Sequence, residues 1–196
     1  WFQMHWPRDP AFFESPKVAI PSMFDRPRAA YIEGSAYFGI GANVITQGDS
    51  NIPLRTLSAF LNSSVGAWWF AINGKQRGVG VDIGVSKLRQ FHLPPLNEKA
   101  FLLLAKVVEL VEFVKSVSDE DADLSSTSFL EDLIDACVME CYFQEHMAER
   151  NLLFLDELIP SLEGYDLEAD EEQHREFLEH FIATHNAPSA KIRNRL

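Results

Sequence analysis

Apolar residues recur at helical spacing between residues 54 and 73. Steps of three or four residues separate Leu54, Leu57, Leu61, Val65, Trp68 and Ile72. This spacing is typical of one buried helix face. Three aromatic residues widen the stripe, and we therefore expect cover on more than one side: Phe60, Trp69 and Phe70. The pattern predicts a central buried helix.

Short apolar runs separated by turn residues precede this helix. Glycine, proline and aspartate interrupt the runs, as at Asp25–Arg28 and Glu33–Ser35. Runs of this length with close turns are typical of antiparallel strands. The predicted strands cover residues 16–21, 29–32, 36–38 and 43–46, with one more at residues 81–85 after the helix. We expect them to form a small antiparallel sheet.

Helical patterns dominate the chain from Asn97, a predicted N-cap, onward. Residues 98–116 carry two apolar stripes, which predicts a widely buried helix. An acidic segment at residues 118–125 has no apolar period. A capping box of Ser128 and Glu131 then predicts the start of the next helix. This helix and two later ones are predicted at residues 129–145, 152–162 and 171–184.

These patterns predict an α+β fold, with a small antiparallel β-sheet around a central buried helix and an α-helical C-terminal extension. We expect a first domain at residues 1–96, a long connecting helix at 97–118 and an acidic helical extension at 119–196. The 196 residues, 46% of them hydrophobic, suffice for a substantial core. Because the first residue is Trp1 and not Met, we expect the chain to be a piece of a longer protein.

The net charge of −12 is unevenly distributed along the chain. Residues 1–100 hold 10 Lys and Arg against 7 Asp and Glu, a net charge of +3, whereas residues 101–196 hold 7 against 22, a net charge of −15. The first half can therefore still bind a polyanion. Two cysteines make no disulfide scaffold, and the densest apolar stretch, residues 101–114, contains three charged residues. We expect a cytoplasmic location and no membrane partner.

A basic, glycine-rich loop follows the central helix. Gly74–Gly80 contains three glycines together with Lys75, Gln76 and Arg77. Lysine and arginine bind phosphates, and arginine and glutamine read guanine and adenine edges in the major groove. Glycines allow a ligand to approach the backbone closely. The loop is therefore a candidate nucleic-acid contact, with a solvated basic turn as the alternative.

Three segments occur in the order and rough spacing of a known module. They are Pro16–Pro21 (Pro-Lys-Val-Ala-Ile-Pro), Leu57–Ser63 (Leu-Ser-Ala-Phe-Leu-Asn-Ser) with Trp68–Phe70 after it, and Leu88–Pro94 (Leu-Arg-Gln-Phe-His-Leu-Pro). As a set they resemble the TaqI-like C-terminal specificity domain, the target recognition domain of adenine-specific DNA methyltransferases and type II restriction–modification enzymes. Residues 129–143 also resemble the helical segment that ends the large fused enzymes of this kind.

The resemblance implies a division of labour within a bacterial restriction–modification adenine-N6 DNA methyltransferase. An upstream domain would bind S-adenosylmethionine and methylate a flipped-out adenine. The present chain would bind double-stranded DNA and read its sequence, with no catalysis and no cofactor of its own. Its partners would be the DNA and the methyltransferase domain of the same chain. Whether the parent enzyme also cleaves DNA stays open.

Family members read different sequences through variable loops, so the resemblance transfers scaffold positions and no base-reading residues. The scaffold positions are Lys17, Leu61, Asn62, Ser63, Leu93 and Pro94. Charge and loop position supply the candidates for DNA contact instead. These candidates are Lys17, Arg26, Arg28, Lys75, Gln76, Arg77, Lys87 and Arg89.

Two other functions stay open at this point. In a protein-interaction module the acidic helices would bind a partner within a restriction–modification complex. Basic candidates gathered on one exposed face would favour DNA, and basic candidates scattered among carboxylates would favour the interaction module. An enzyme would need converging ionisable residues, and Cys137 with Cys141 and His146 could in principle bind a metal. We interpret the two cysteines as core thiols, because the positions around them are apolar.

Overall fold

The computed structural model describes residues 9–49, 51–95, 98–117 and 124–196, with no side-chain description for Leu124. Its strands are β1 (Lys17–Pro21), β2 (Met23–Phe24), β3 (Ala30–Ile32), β4 (Ala42–Thr46), β5 (Lys75–Arg77) and β6 (Gly80–Asp82). Its helices are α1 (Ala11–Glu14), α2 (Leu54–Asn62), α3 (Ser64–Asn73), α4 (Val85–Leu88), α5 (Glu98–Val117), α6 (Leu124–Ala148), α7 (Leu155–Ser161) and α8 (Glu171–His185). Small antiparallel sheets together with many helices confirm the predicted α+β class.

The chain divides into two compact units. The first unit comprises Trp1–Asn62 and Gly66–His92, and the second comprises Ser63–Val65 and Leu93–Leu196. The helix that we predicted as a connector, α5, groups with the second unit. The predicted cap Asn97 and most of the acidic segment at 118–125 lie outside the described residues.

Two three-stranded antiparallel sheets make up the β-structure of the first unit. The first sheet has the order β3-β1-β4, and β1 pairs with β4 along its whole length and with β3 from Lys17 to Ala19. The second sheet has the order β2-β6-β5. In it Phe24 and Gln76 both lie opposite Val81, while Met23 and Lys75 both lie opposite Asp82. The one predicted sheet is therefore two, since β2 and the β5–β6 pair form a separate ladder.

The predicted strand at residues 36–38 does not form, since these residues lie in none of the described strands. The Ala36 amide donates to the Phe13 carbonyl oxygen at 2.9 Å. The rings of Tyr37 and Phe13 stack with 5.2 Å between their centroids. The segment therefore packs against α1 instead of joining a ladder.

Aromatic side chains fill the core of the first unit. Phe70 is fully buried, and its ring centroid lies 5.5 Å from that of Phe24 in an edge-to-face pair and 5.5 Å from that of Phe91 in a stack. Trp69 contacts both Phe70 and Phe91 edge-to-face. Pairs of this geometry stabilise a core beyond the burial of their area. Aliphatic residues of the same cluster include Val18, Ile20, Leu54, Leu61, Val81 and Ile83.

The predicted central helix is in fact two helices that meet at Ser63. A Cβ atom added at Gly66 would lie 2.5 Å from the Phe60 carbonyl oxygen, so the first turn of α3 lies against the end of α2. A continuous helix would not make this contact. The change of direction also ends the single apolar face, and Trp68 and Ile72 are 63% and 62% exposed. The prediction that these two side chains are buried was wrong.

Polar groups fix the chain on both sides of this break. The side-chain amide of Asn62 donates to the Ala29 carbonyl and accepts from the Ala29 amide, both at 2.7 Å. It thereby satisfies the backbone at the start of β3, where the sheet has an edge. In the second unit, Asp135 accepts from the backbone amide of Ser64 at 2.6 Å. An acceptor at this place satisfies one of the free amides of the first turn of α3.

The second unit is helical, and α5 is buried along most of its length. Leu104, Leu110 and Val114 of α5 are fully buried, as are Leu130 and Leu133 of α6. The α6 helix begins at Leu124, before the predicted capping box, and that predicted start was therefore wrong. A capping box does open α8, where Asp170 and Gln173 bond each other's backbone amides.

Candidate nucleic-acid interface

The basic loop after the aromatic helices forms the β5–β6 hairpin. Arg77 lies opposite Gly80, which leaves Gly78 and Val79 as a two-residue turn. Gly78 has φ 61°, a value that glycine adopts without strain, as at the first central position of a type II′ turn. Lys75 and Arg77 are two residues apart on one strand, so their side chains lie on the same face of the sheet. Both are exposed.

Two further candidates follow the neighbouring strand of this sheet. Since Phe24 at the end of β2 lies opposite Val81, the chain leaves β2 beside Gly80 and the hairpin turn. Arg26 and Arg28 come directly after this point, and both are exposed. The register therefore brings Arg26, Arg28 and Arg77 to one end of the second sheet.

Lys87 and Arg89 lie toward the opposite end of this sheet. The β6 strand runs from the hairpin turn to Asp82, where β2 and β5 begin, and α4 follows. Lys87 is in the last turn of α4, and Arg89 is its C-cap residue. Both side chains are exposed. The basic candidates on the surface thus form two groups at the two ends of one sheet, and Lys75 belongs by register to the group with Lys87.

The structure places Lys17 in the core of the first unit. Its side chain is 0% exposed, and its ammonium group donates to the carbonyl oxygen of Gly34 at 2.7 Å. A buried ammonium group cannot reach a DNA phosphate, so Lys17 is corrected from a DNA-contact candidate to a structural residue. Its buried position agrees with the scaffold role that we also expected, as do the buried positions of Leu61 and Ser63.

Gln76 differs from its two neighbours on β5. Strand alternation places its side chain on the face opposite that of Lys75 and Arg77. The Gln76 amide donates to the carbonyl oxygen of Ala71 at 3.1 Å, which ties β5 to the end of α3. Gln76 is exposed, but its side-chain amide group is already engaged in this local hydrogen bond. The sequence alone could not distinguish Gln76 from Lys75 and Arg77, because we predicted a loop at these residues. Only in a strand does the middle side chain point to the opposite face from its two neighbours.

Carboxylates accompany two of the arginines at the hairpin end. Arg77 Nε lies 2.9 Å from Asp82 Oδ2, and Arg28 lies 3.5 Å from Asp25 Oδ1. The backbone amide of Arg26 donates to Asp25, and this bond, with the nearby Arg28 guanidinium, lowers the pKa of the Asp25 carboxyl. Exposed ion pairs contribute little free energy, so a phosphate can replace either carboxylate as the arginine's partner.

Sequence reasoning missed the apolar side chains that share this surface. Val79 at the hairpin turn is 100% exposed, and Met23 lies on the same face as Lys75 and Asp82 with its side chain exposed. The only sequence signal for Val79 is its position between two glycines in a predicted loop. Nothing in the sequence separates Met23 from a core residue of a short strand.

The cysteines and the surrounding carboxylates do not form a metal site in the described part of the chain, where no three His, Cys, Asp or Glu side chains are suitably grouped. Cys137 is fully buried, and burial raises the pKa of its thiol well above the usual value. Burial also raises the pKa of Cys141 to about 12. Both thiols are therefore protonated and poorly nucleophilic near neutral pH. Cys137 is thus a core residue, as we interpreted it, whereas Cys141 is only half-buried.

Comparison with known proteins assigns no family to the chain. No family model matches it, and no curated protein matches it either. Among the described helices, none is long and apolar enough to cross a membrane.

Proposed function

We propose that the first unit recognises double-stranded DNA. One observation carries this proposal: Lys75 and Arg77 share an exposed face of β5, and Arg26 and Arg28 follow a strand of the same sheet. Two cations on this strand, together with two in the turn after β2, can bind phosphates of a duplex.

The charges of the two units support the choice of the first unit. The residues of the first unit include 9 Lys and Arg and 6 Asp and Glu, a net charge of +3, whereas those of the second include 8 and 23, a net charge of −15. A polyanion is attracted by the first and repelled by the second. The modest positive charge predicts weak binding that depends strongly on salt.

The sequence resemblance extends this proposal to a parent enzyme. In this extended proposal, the chain is the C-terminal specificity part of a cytoplasmic restriction–modification adenine-N6 DNA methyltransferase. The S-adenosylmethionine site and the catalysis belong to an upstream domain of the same protein. The present chain then contributes DNA affinity and sequence choice, and no catalytic residue.

A titration of a fluorescent random-sequence duplex at several salt concentrations tests DNA binding. We expect weak binding whose affinity falls with salt at a slope of roughly −0.9 per phosphate neutralised. The double variant Lys75→Ala/Arg77→Ala should make this slope shallower, by the amount that corresponds to about two phosphates. The matched control is Lys99→Ala/Lys191→Ala, which removes two exposed cations from the second unit and should leave the slope unchanged. Equal effects of both double variants would contradict the proposed surface.

A second candidate function is protein interaction, which the exposed side chains of Trp68 and Ile72 favour. They are four residues apart on α3 and therefore lie on one face of that helix. Exposed apolar pairs of this kind are typical of surfaces that bind another protein. If the chain binds no duplex even at low salt, this candidate replaces DNA recognition.

A further inference from the structure

The turn of the β5–β6 hairpin contains an apolar residue that the fold does not need. The fold explains why glycine occupies the two positions that flank this residue. Gly78 supplies the positive φ of the turn, and a Cβ atom at Gly80 would lie 3.1 Å from the Phe24 carbonyl oxygen of the neighbouring strand. The fold gives no such reason for valine at position 79, because the Val79 side chain is 100% exposed. A β-branched residue is unusual in a tight hairpin turn, where glycine, asparagine and aspartate prevail.

The surroundings of Val79 indicate the chemistry of a partner. Arg77 lies on the same hairpin, and the turn that carries Arg26 and Arg28 leaves β2 beside Gly80. One branched apolar group therefore projects from an end of the sheet that carries three arginines. The partner that combines phosphates with accessible methyl groups is duplex DNA, in which each thymine places a 5-methyl group in the major groove.

The size of the element also fits this groove. The major groove of B-form DNA is wide enough for a two-stranded β-ribbon. The β2 strand pairs only with Val81 and Asp82 of β6, so the tip of the hairpin from Arg77 to Gly80 is two-stranded and closed by a two-residue turn. With the turn in the groove, arginines at its base are placed near the phosphates on either side. The minor groove is too narrow for a ribbon of this width.

We propose that the β5–β6 hairpin enters the major groove and that Val79 contacts a thymine 5-methyl group, which makes Val79 a specificity-determining residue. This inference rests on the proposed DNA recognition and adds the element and the residue that select the base. It assigns phosphate binding to the arginines and base selection to an uncharged side chain.

The test begins with selection of preferred duplexes from a randomised library by the whole chain. Each thymine of the selected sequence is then replaced by deoxyuridine, which keeps the base pair and removes only the methyl group. For one thymine, we expect the replacement to weaken binding by about fourfold, the contribution of roughly one buried methyl group. The Val79→Ser variant should bind the thymine and deoxyuridine duplexes equally.

Ile40→Ser is the matched control, because Ile40 is 95% exposed in another loop of the same unit. This variant should keep the preference for thymine. The inference is overturned if the wild-type chain does not distinguish the two duplexes, or if Val79→Ser keeps the wild-type preference for thymine. In both cases duplex binding itself still supports the proposed function. Failure to bind any duplex overturns the proposed function as well.

Discussion

The two units share one way of burying a lysine, and a comparison of three lysines shows what decides whether such a residue is structural or exposed. Lys17 in the first unit and Lys106 in the second are both buried, and each ammonium group donates to a backbone carbonyl at 2.7 Å, of Gly34 and Leu162 respectively. Lys75, also in the first unit, is exposed on the outer face of a sheet. Burial beside a carbonyl oxygen makes a lysine structural, whatever the net charge of its unit.

Carboxylates also differ in role between buried and exposed positions in the two units. The second unit holds most of the acid, and Glu140 is one of its few buried carboxylates. It accepts hydrogen bonds from the backbone amides of Phe154 and Leu155 at the start of α7. The carboxylates at the proposed interface of the first unit, Asp25 and Asp82, are paired with arginines at the surface instead. A carboxylate therefore stabilises the fold where it is buried against backbone amides, and at the surface it is an exchangeable partner.

The largest predicted effect tests the aromatic core of the first unit. Phe70→Ala removes the ring at the centre of the cluster, and we expect the free energy of unfolding to fall by about 3–5 kcal/mol. Trp69 contacts Phe70 directly, so tryptophan fluorescence during urea unfolding measures the change. Phe12→Ala, at an exposed position of the same unit, should change stability little. Equal midpoints for both variants would disprove a core role for Phe70.

A smaller effect is expected for the buried carboxylate of the second unit. Glu140→Ala leaves two backbone amides at the start of α7 without their acceptor, which costs about 1–3 kcal/mol of stability. Far-UV circular dichroism during urea unfolding measures this loss. Glu145→Ala, an exposed position in α6 beyond its kink at Phe143, should stay within about 0.5 kcal/mol of the wild type. A loss from Glu145→Ala as large as that from Glu140→Ala would contradict the comparison.

The smallest effect concerns His185 at the end of α8. Burial lowers the pKa of its imidazole below the ordinary 6.5, and nearby Glu157 opposes this shift. The neutral form is therefore favoured in the folded chain, and the unfolded chain binds the proton more readily. Stability should fall as the pH drops through the unfolded-state pKa. His185→Gln should weaken this dependence in denaturation measured from about pH 7 to pH 5. An unchanged dependence in this variant would contradict a contribution from His185.

Element types were predictable wherever a local pattern decides them. The alternation of short apolar runs and turns predicted strands close to β1, β3 and β4, and Asp170 with Gln173 could have been found as a capping box. The break at Ser63 was not predictable from periodicity, because the apolar spacing continues through it without interruption. The close approach of Gly66 to the Phe60 carbonyl oxygen, which depends on how α2 and α3 cross, decides that break.

For the candidate interface too, some features could be predicted from the sequence and others could not. The sequence alone identified the basic hairpin residues Lys75 and Arg77 and the arginines after β2, because their positions in turns between short strands predict exposure. It could not show that the two segments belong to one sheet, because no local pattern links β2 to β5. The pairing of Phe24 and Gln76 with the same residue, Val81, shows it.

The sequence by itself determined the α+β class, the separation of basic and acidic halves, and the positions of the exposed cations, because composition, periodicity and turn residues act locally along the chain. Only the tertiary structure decided that Lys17 is buried, that Gln76 bonds Ala71, and that Val79 projects from the hairpin. Each of these depends on which strand or carbonyl oxygen lies beside the residue in space, and the register of strand pairing and the packing of helices set that neighbour.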